Sequence, residues 1–180
     1  METLTDLFED TLRDIYYAEK KILKALPKMA KKAGSEALAA AFEKHERETE
    51  TQADRLEKIF EIIGKAPRGK TCDAIEGIIG EAQELMQEAE TDTVRDAAMV
   101  GAAQAVEHYE ISRYGTLKAW AGKLGMDDAV ELLQQTLDEE KATDEALTKL
   151  AESEINVKAD DQPEEHESEM RGAQRRRRSK

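Results

Sequence analysis

The stretch AAQAVEHYEISRYGTLKAW, residues 102–120, decides how the chain is read. Small and apolar residues recur three and four apart, the period of a helix with one buried face. Yet Glu107, His108 and Glu110 stand at its centre, with Gln104 one turn before and Tyr114 one turn after. His108 points off the Glu107–Ile111–Tyr114 line and is expected to be structural. Acids in the middle of an apolar face are costly unless a proton or a cation offsets their charge.

Working outward, the same interruption recurs in three more helices. The first, over about residues 5–32, carries the stripe Phe8, Leu12, Ile15, Glu19, Ile22, Leu26, broken only by the glutamate. Gly34 ends it and Ser35 caps the second, residues 36–63, whose stripe is Leu38, Phe42, His45, then Glu48 or Thr49, then Gln52, Leu56, Ile59 and Ile63. The helix of the opening stretch covers about residues 93–122. Gly101 and Gly115 lie inside it at a cost of about 1 kcal/mol each relative to alanine, so close helix approach is expected there. The last helix, capped by Asp127, runs to about Ile155 through Val130, Leu133, Leu137, Glu140, then Thr143 or Asp144, then Leu147 and Leu150. His45 one turn before Glu48, and Asp144 one turn after Glu140, widen the candidate set.

The connections fix the topology. The first and second helices, and the third and fourth, are joined by short turns and should be antiparallel neighbours. Residues 64–92 are too long for a turn, and CDAIEGIIGEAQELMQEAE predicts a short amphipathic helix there, with Asp73 and Glu76 as a capping box. Short, long, short is the connectivity of a ferritin-like four-helix bundle. The expected domain is residues 1–155. Residues 156–180 have no apolar period, are acidic and then basic, and are expected to be a disordered tail.

Spacing places the acids at one level. Glu19 and Glu48 are 48 − 19 = 29 residues apart, and Glu110 and Glu140 are 140 − 110 = 30 apart. Both hairpins therefore bring their acids to the same height above their turns. Two like charges about 6 Å apart at an effective dielectric near 20 repel by roughly 3 kcal/mol. Either several of these acids hold protons or cations sit among them. Exposed acids on an acidic protein are the plainer account of any one glutamate. Glu19, Glu48, Glu107 and Glu140 together, each flanked by core positions, favour a pair of divalent ions. The remaining candidates are Glu110, His45 and Asp144.

Composition agrees. The 180 residues are 37% charged and 39% hydrophobic with three prolines, which suits charged-out helices and not a sandwich or barrel. A net charge of −13 argues against a general nucleic-acid surface, leaving Arg175–Arg178 as the one basic patch able to touch nucleic acid. One cysteine, Cys72, excludes an intramolecular disulfide and a cysteine zinc site. The acidic start has no signal-peptide pattern and no apolar run reaches membrane-span length, so a cytoplasmic protein is expected.

Three segments, IYYAEKKILKALPKMAKKA, AVEHYEISRYGTLKAWAGKLG and AVELLQQTLDEEKATDEALTKLAE, resemble the YciE/YciF family of bacterial ferritin-like stress proteins over about residues 1–155. The resemblance implies a small bundle that forms a homodimer, and a ferroxidase-type or peroxide- or oxygen-handling activity at a dinuclear iron or manganese site. Glu19, Glu48, Glu107 with Glu110, and Glu140 match the carboxylates of the wider ferritin and rubrerythrin pattern. Thr51 and Thr143 stand where that pattern has histidine, leaving an oxygen-rich shell that suits Mg²⁺, Mn²⁺ or Ca²⁺ as well as iron. Under that pattern Glu48 and Glu140 bridge, with Tyr17, Tyr109 or Tyr114 as electron or hydrogen-bond donors. The alternative is a non-catalytic stress or interaction protein with a structural divalent ion in the bundle.

Overall fold

Capping chemistry and apolar stripes set the helices of the computed structural model, which describes residues 1–160. Helix α1 (Leu4–Lys32) begins at Thr3, whose hydroxyl accepts from Asp6 N while the Asp6 carboxylate accepts from Thr3 N. Helix α2 (Glu36–Ile62) is capped by Ser35, as its sequence predicts. Three further helices follow, α3 (Asp73–Glu88), α4 (Asp92–Lys123) and α5 (Asp127–Leu150). The chain then passes through one π-helical turn, Ala151–Ile155, into α6 (Asn156–Asp160). No strand occurs among the described residues.

Helix α1 packs on α2 and α4 on α5, and the two hairpins meet through α1 against α4 and α2 against α5. One buried acid ties the hairpins together. Asp96 of α4 accepts from Gly34 N at 2.9 Å and Ser35 N at 2.8 Å, fixing the α1–α2 turn beside the start of α4. Ser35 Oγ donates to Glu154 Oε1 at 2.9 Å, so the π-helical turn after α5 arrives at the same place. The start of α2 and the start of α4 thus share one end of the bundle. The segment between α2 and α4 must return along the whole length. It does so over α1, where Lys70 N donates to Arg13 O at 3.0 Å. Gly69 permits this close approach: a Cβ would stand 3.2 Å from Tyr17 Cβ and 3.3 Å from its Cα, tighter than ordinary van der Waals contact. Helix α3 then packs mainly on α4. This is the ferritin-like arrangement of two antiparallel hairpins and a long crossover with its own short helix.

Several local expectations are corrected. The cap of α3 is Cys72, whose sulfur accepts from Ile75 N at 3.4 Å; Asp73 is already helical, so no Asp73–Glu76 box forms. Met126 holds the cap position of α5 without a side-chain bond, and Asp127 is its first helical residue. Helix continues to Asp160, five residues past the edge expected at 155, with Ile155 buried on the core side. The rest of the predicted tail, including Arg175–Arg178, lies outside the described residues. No helix of the described chain is long and apolar enough to cross a membrane.

Gly101 and Gly115 do not mark a close helix crossing either, because a Cβ at either position would meet nothing within 4 Å. Their cost in helix propensity therefore has no packing return. Gly101→Ala and Gly115→Ala are each expected to raise stability by about 1 kcal/mol in urea unfolding; a loss of stability would show a contact that the fold does not contain.

Candidate metal centre

Each main helix delivers one or two polar side chains to a layer at its mid-length. On α1 the stripe residues Ile15 and Ile22 are buried on either side of Glu19, which is 0% exposed. On α2 the buried line runs Leu38, Phe42, His45, Thr49, Gln52, Leu56. Of the two residues that could continue the stripe after His45, Thr49 takes the core position. Its hydroxyl donates to the His45 carbonyl at 2.8 Å. Glu48 is turned to the flank, with its side chain 26% exposed. On α4 Glu107 and Glu110 both point inward, one turn apart. On α5 Glu140 and Thr143 are buried, while Asp144 stands at the edge.

Four of the predicted residues converge. His45, Glu107, Glu110 and Glu140 each place a donor atom within 4.8 Å of all the others. His45 Nε2 lies 3.1 Å from Glu107 Oε1, yet neither ring nitrogen finds an aligned hydrogen-bond partner. Both oxygens of Glu110 and of Glu140, and Oε2 of Glu107, are buried without a partner. Glu19 joins the layer from α1. One of its oxygens accepts from the Tyr114 hydroxyl and the other, Oε2, is unpartnered. Glu48 and Asp144 border the cluster without entering it. Glu48 Oε1 pairs with Lys44 at 2.5 Å, leaving Oε2 buried and free. Asp144 accepts from Gln104 Nε2 at 3.1 Å and lies 3.3 Å from His108 Nε2. His108 itself is exposed on the surface side of α4.

Among the described residues, no lysine or arginine forms an ion pair with Glu19, Glu107, Glu110 or Glu140. Arg55, whose charge reaches Glu140, is gripped by both oxygens of Glu139 at 2.6 and 2.7 Å. Sequence patterning did not single out Arg55, Gln52 or Glu139 as a unit. The pairing joins α2 to α5 across 84 residues, so no local period reveals it.

Burial dominates the electrostatics. It pushes Glu19 up to about 8, with the Glu140 charge adding to it. It raises Glu107 to about 8, with Glu19, Asp144 and Glu48 adding their repulsion. Glu110 and Glu140 are driven well above the usual carboxylate range by burial and then by their neighbours' charges. Burial also holds the Tyr114 phenol protonated, so it donates to Glu19. These donors fit a divalent cation: three carboxylates and an imidazole aimed at one point, with Glu19 Oε2 and Glu48 Oε2 as further oxygens beside them. Without a cation the layer keeps its protons, and a cation must displace them.

That proton load sets a pH dependence. An unfolded carboxyl titrates near 4.5, whereas Glu19 and Glu107 hold protons to about 8 when folded. Between those values the folded state binds more protons, so its stability falls as pH rises, by up to about 1.4 kcal/mol per pH unit for each proton. The metal-free protein should melt lower at about pH 8.5 than at about pH 5.5. Glu110→Gln, which stays neutral, should shrink that difference. Thermal melts across the range check this, and a melting temperature rising with pH would contradict it.

Residues 3–160 match the family model described as a domain of unknown function, DUF892. YciF of Escherichia coli strain K12 is 46% identical over 162 residues, covering 89% of this chain and 97% of that protein. Among solved structures, the E. coli stress protein YciF superposes with a TM-score of 0.82 at 44% identity, over 87% of this chain and 99% of that one. YcfI from Rhodopseudomonas palustris superposes at 0.80 with 50% identity, over 82% and 94% respectively. A Xanthomonas campestris protein at 22% identity shares the fold, with a TM-score of 0.66 over 84% and 92%. The chain belongs to the DUF892 family, whose model it matches over residues 3–160.

Proposed function

We propose that this chain is a ferritin-like di-metal carboxylate protein of the stress response that oxidises Fe²⁺ with oxygen or peroxide. The observation that carries it is the buried layer of Glu19, His45, Glu107, Glu110 and Glu140, each of which keeps at least one buried nitrogen or oxygen without a hydrogen-bond partner. A bound redox-active pair, iron or manganese, would supply the one-electron chemistry. The chain's own residues do the rest. His45, Glu107, Glu110 and Glu140 provide the converging ligands, with Glu19 completing the oxygen shell and Glu48 and Asp144 adjoining it. Tyr114 fixes Glu19 through its hydroxyl. The apolar turns around the layer, Ile15 and Ile22 among them, exclude water and strengthen every charge interaction inside. Protons displaced from the carboxyls leave as the cation enters. The described stress role of YciF and the buried, unpaired Cys72 support a cytoplasmic stress protein. The family resemblance supports a homodimer.

One observation favours the alternative, a structural divalent ion without turnover. The layer has a single imidazole, and Thr143 and Thr51 occupy the histidine positions, so hard redox-inert cations suit it as well. The R. palustris relative is provisionally described as a structural protein. Anaerobic loading with Fe²⁺ followed by oxygen separates the two. Ferric absorbance should grow in the parent and be lost in the Glu110→Ala, Glu140→Ala double variant. Equal rates in parent and variant would reject the oxidase, whereas a raised melting temperature with Mg²⁺ or Ca²⁺ and no ferric signal would support the structural ion.

A further inference from the structure

A cation bound for this layer faces a closed wall. His45, Glu107, Glu110 and Glu140 are 5%, 1%, 0% and 0% exposed, and Glu19 is sealed as well. Two acids reach the rim, and they differ. Asp144 spends one oxygen on Gln104 and holds the other beside His108. Glu48 faces both ways. Its Oε1 points outward to Lys44 at 2.5 Å, while Oε2 is buried and unpartnered on the interior side. The two sides are electrostatically joined, because the Glu48 charge is felt at Glu107.

The same face of α2 continues this character. Gln52, one turn beyond Glu48, is 1% exposed, and its Oε1 is unpartnered. Its amide nitrogen is committed to Glu139 Oε2 at 3.2 Å, which turns the carbonyl oxygen away from that pair. Beyond Gln52 the Arg55–Glu139 ion pair closes the α2–α5 seam. An acceptor buried without a donor costs roughly 1–3 kcal/mol. Glu48 Oε2 and Gln52 Oε1 are two such acceptors at i and i+4, where helical side chains are neighbours. Their cost is offset if a cation passes them.

Resting on the metal centre proposed above, we propose that Glu48 is the entry carboxylate of the bundle. It takes a divalent cation from solvent in exchange for Lys44 and passes it inward, with Gln52 Oε1 as the neutral oxygen beside it. Glu48 is then a residue of transit, and the layer's affinity resides in His45, Glu107, Glu110 and Glu140. The Lys44 ammonium is the competitor at the mouth: 61% exposed, it can swing away without leaving a buried charge.

The test uses the full metal-free chain and Co²⁺ alone, with association followed by stopped-flow visible absorbance and affinity by calorimetry. Glu48→Gln should slow association at least tenfold while changing the dissociation constant less than threefold. Lys44→Gln should speed association. Glu50→Gln, which removes the same charge from an exposed site on α2, should leave the rate as in the parent. A Glu48→Gln variant that binds as fast as the parent would overturn the route while leaving the metal centre standing. So would one that loses affinity at an unchanged association rate. Failure of the parent itself to bind Co²⁺ would overturn the centre, and the route with it.

Discussion

Four helices are held in register by the need to put unlike things in one place: acids at the middle of an apolar bundle. The carboxylates of Glu107, Glu110 and Glu140 converge with the imidazole of His45, and Glu19 closes the layer from α1. An apolar core could have been built at that height with less electrostatic cost, since replacing buried charge by hydrocarbon is often neutral or stabilising. The layer is therefore the costly part of the molecule, and the surrounding shell is arranged to sustain it. Tyr114 secures Glu19, Thr49 locks the turn that carries His45, and Asp96 pins the hairpins so that all four helices keep their heights.

Most of the fold was legible because amphipathic helices declare themselves by period. The stripe of α1 is buried residue for residue, from Phe8 through Glu19 to Leu26. The long segment 64–92 could be recognised as a crossover because its length cannot be a turn. What remained illegible was angular. A helix step of three or four leaves two candidates wherever both are polar, and the sequence offered Glu48 or Thr49, and Thr143 or Asp144. In both helices the threonine takes the core position and the acid the flank. Caps were also misplaced by one residue at α3 and α5, since a cysteine and a methionine carry no capping signal. The two interior glycines of α4 were given a packing role that the neighbouring helices do not fill.

The layer itself was visible as a coincidence of four interruptions, whereas its inner architecture was not. Equal separations placed Glu48 opposite Glu19, but the buried α2 position at the cluster is His45. The Arg55–Glu139 pair and the Gln52 amide, which border the layer between α2 and α5, join residues 84 and 87 apart and leave no trace in local pattern. Chemistry and position thus divide. Residue types announced an acid-rich interior, and only the packed helices determine which oxygens face inward and which meet a lysine at the surface.

Whether the acids exist to hold metal is answered most directly by diffraction at the iron and manganese absorption edges, on crystals of protein purified without added metal. Anomalous density between Glu110, Glu140, His45 and Glu107, with a second site towards Glu19, is the predicted result. A layer free of anomalous signal, both there and after soaking with Fe²⁺ or Mn²⁺, would contradict the account and leave a proton-bearing acid core in its place.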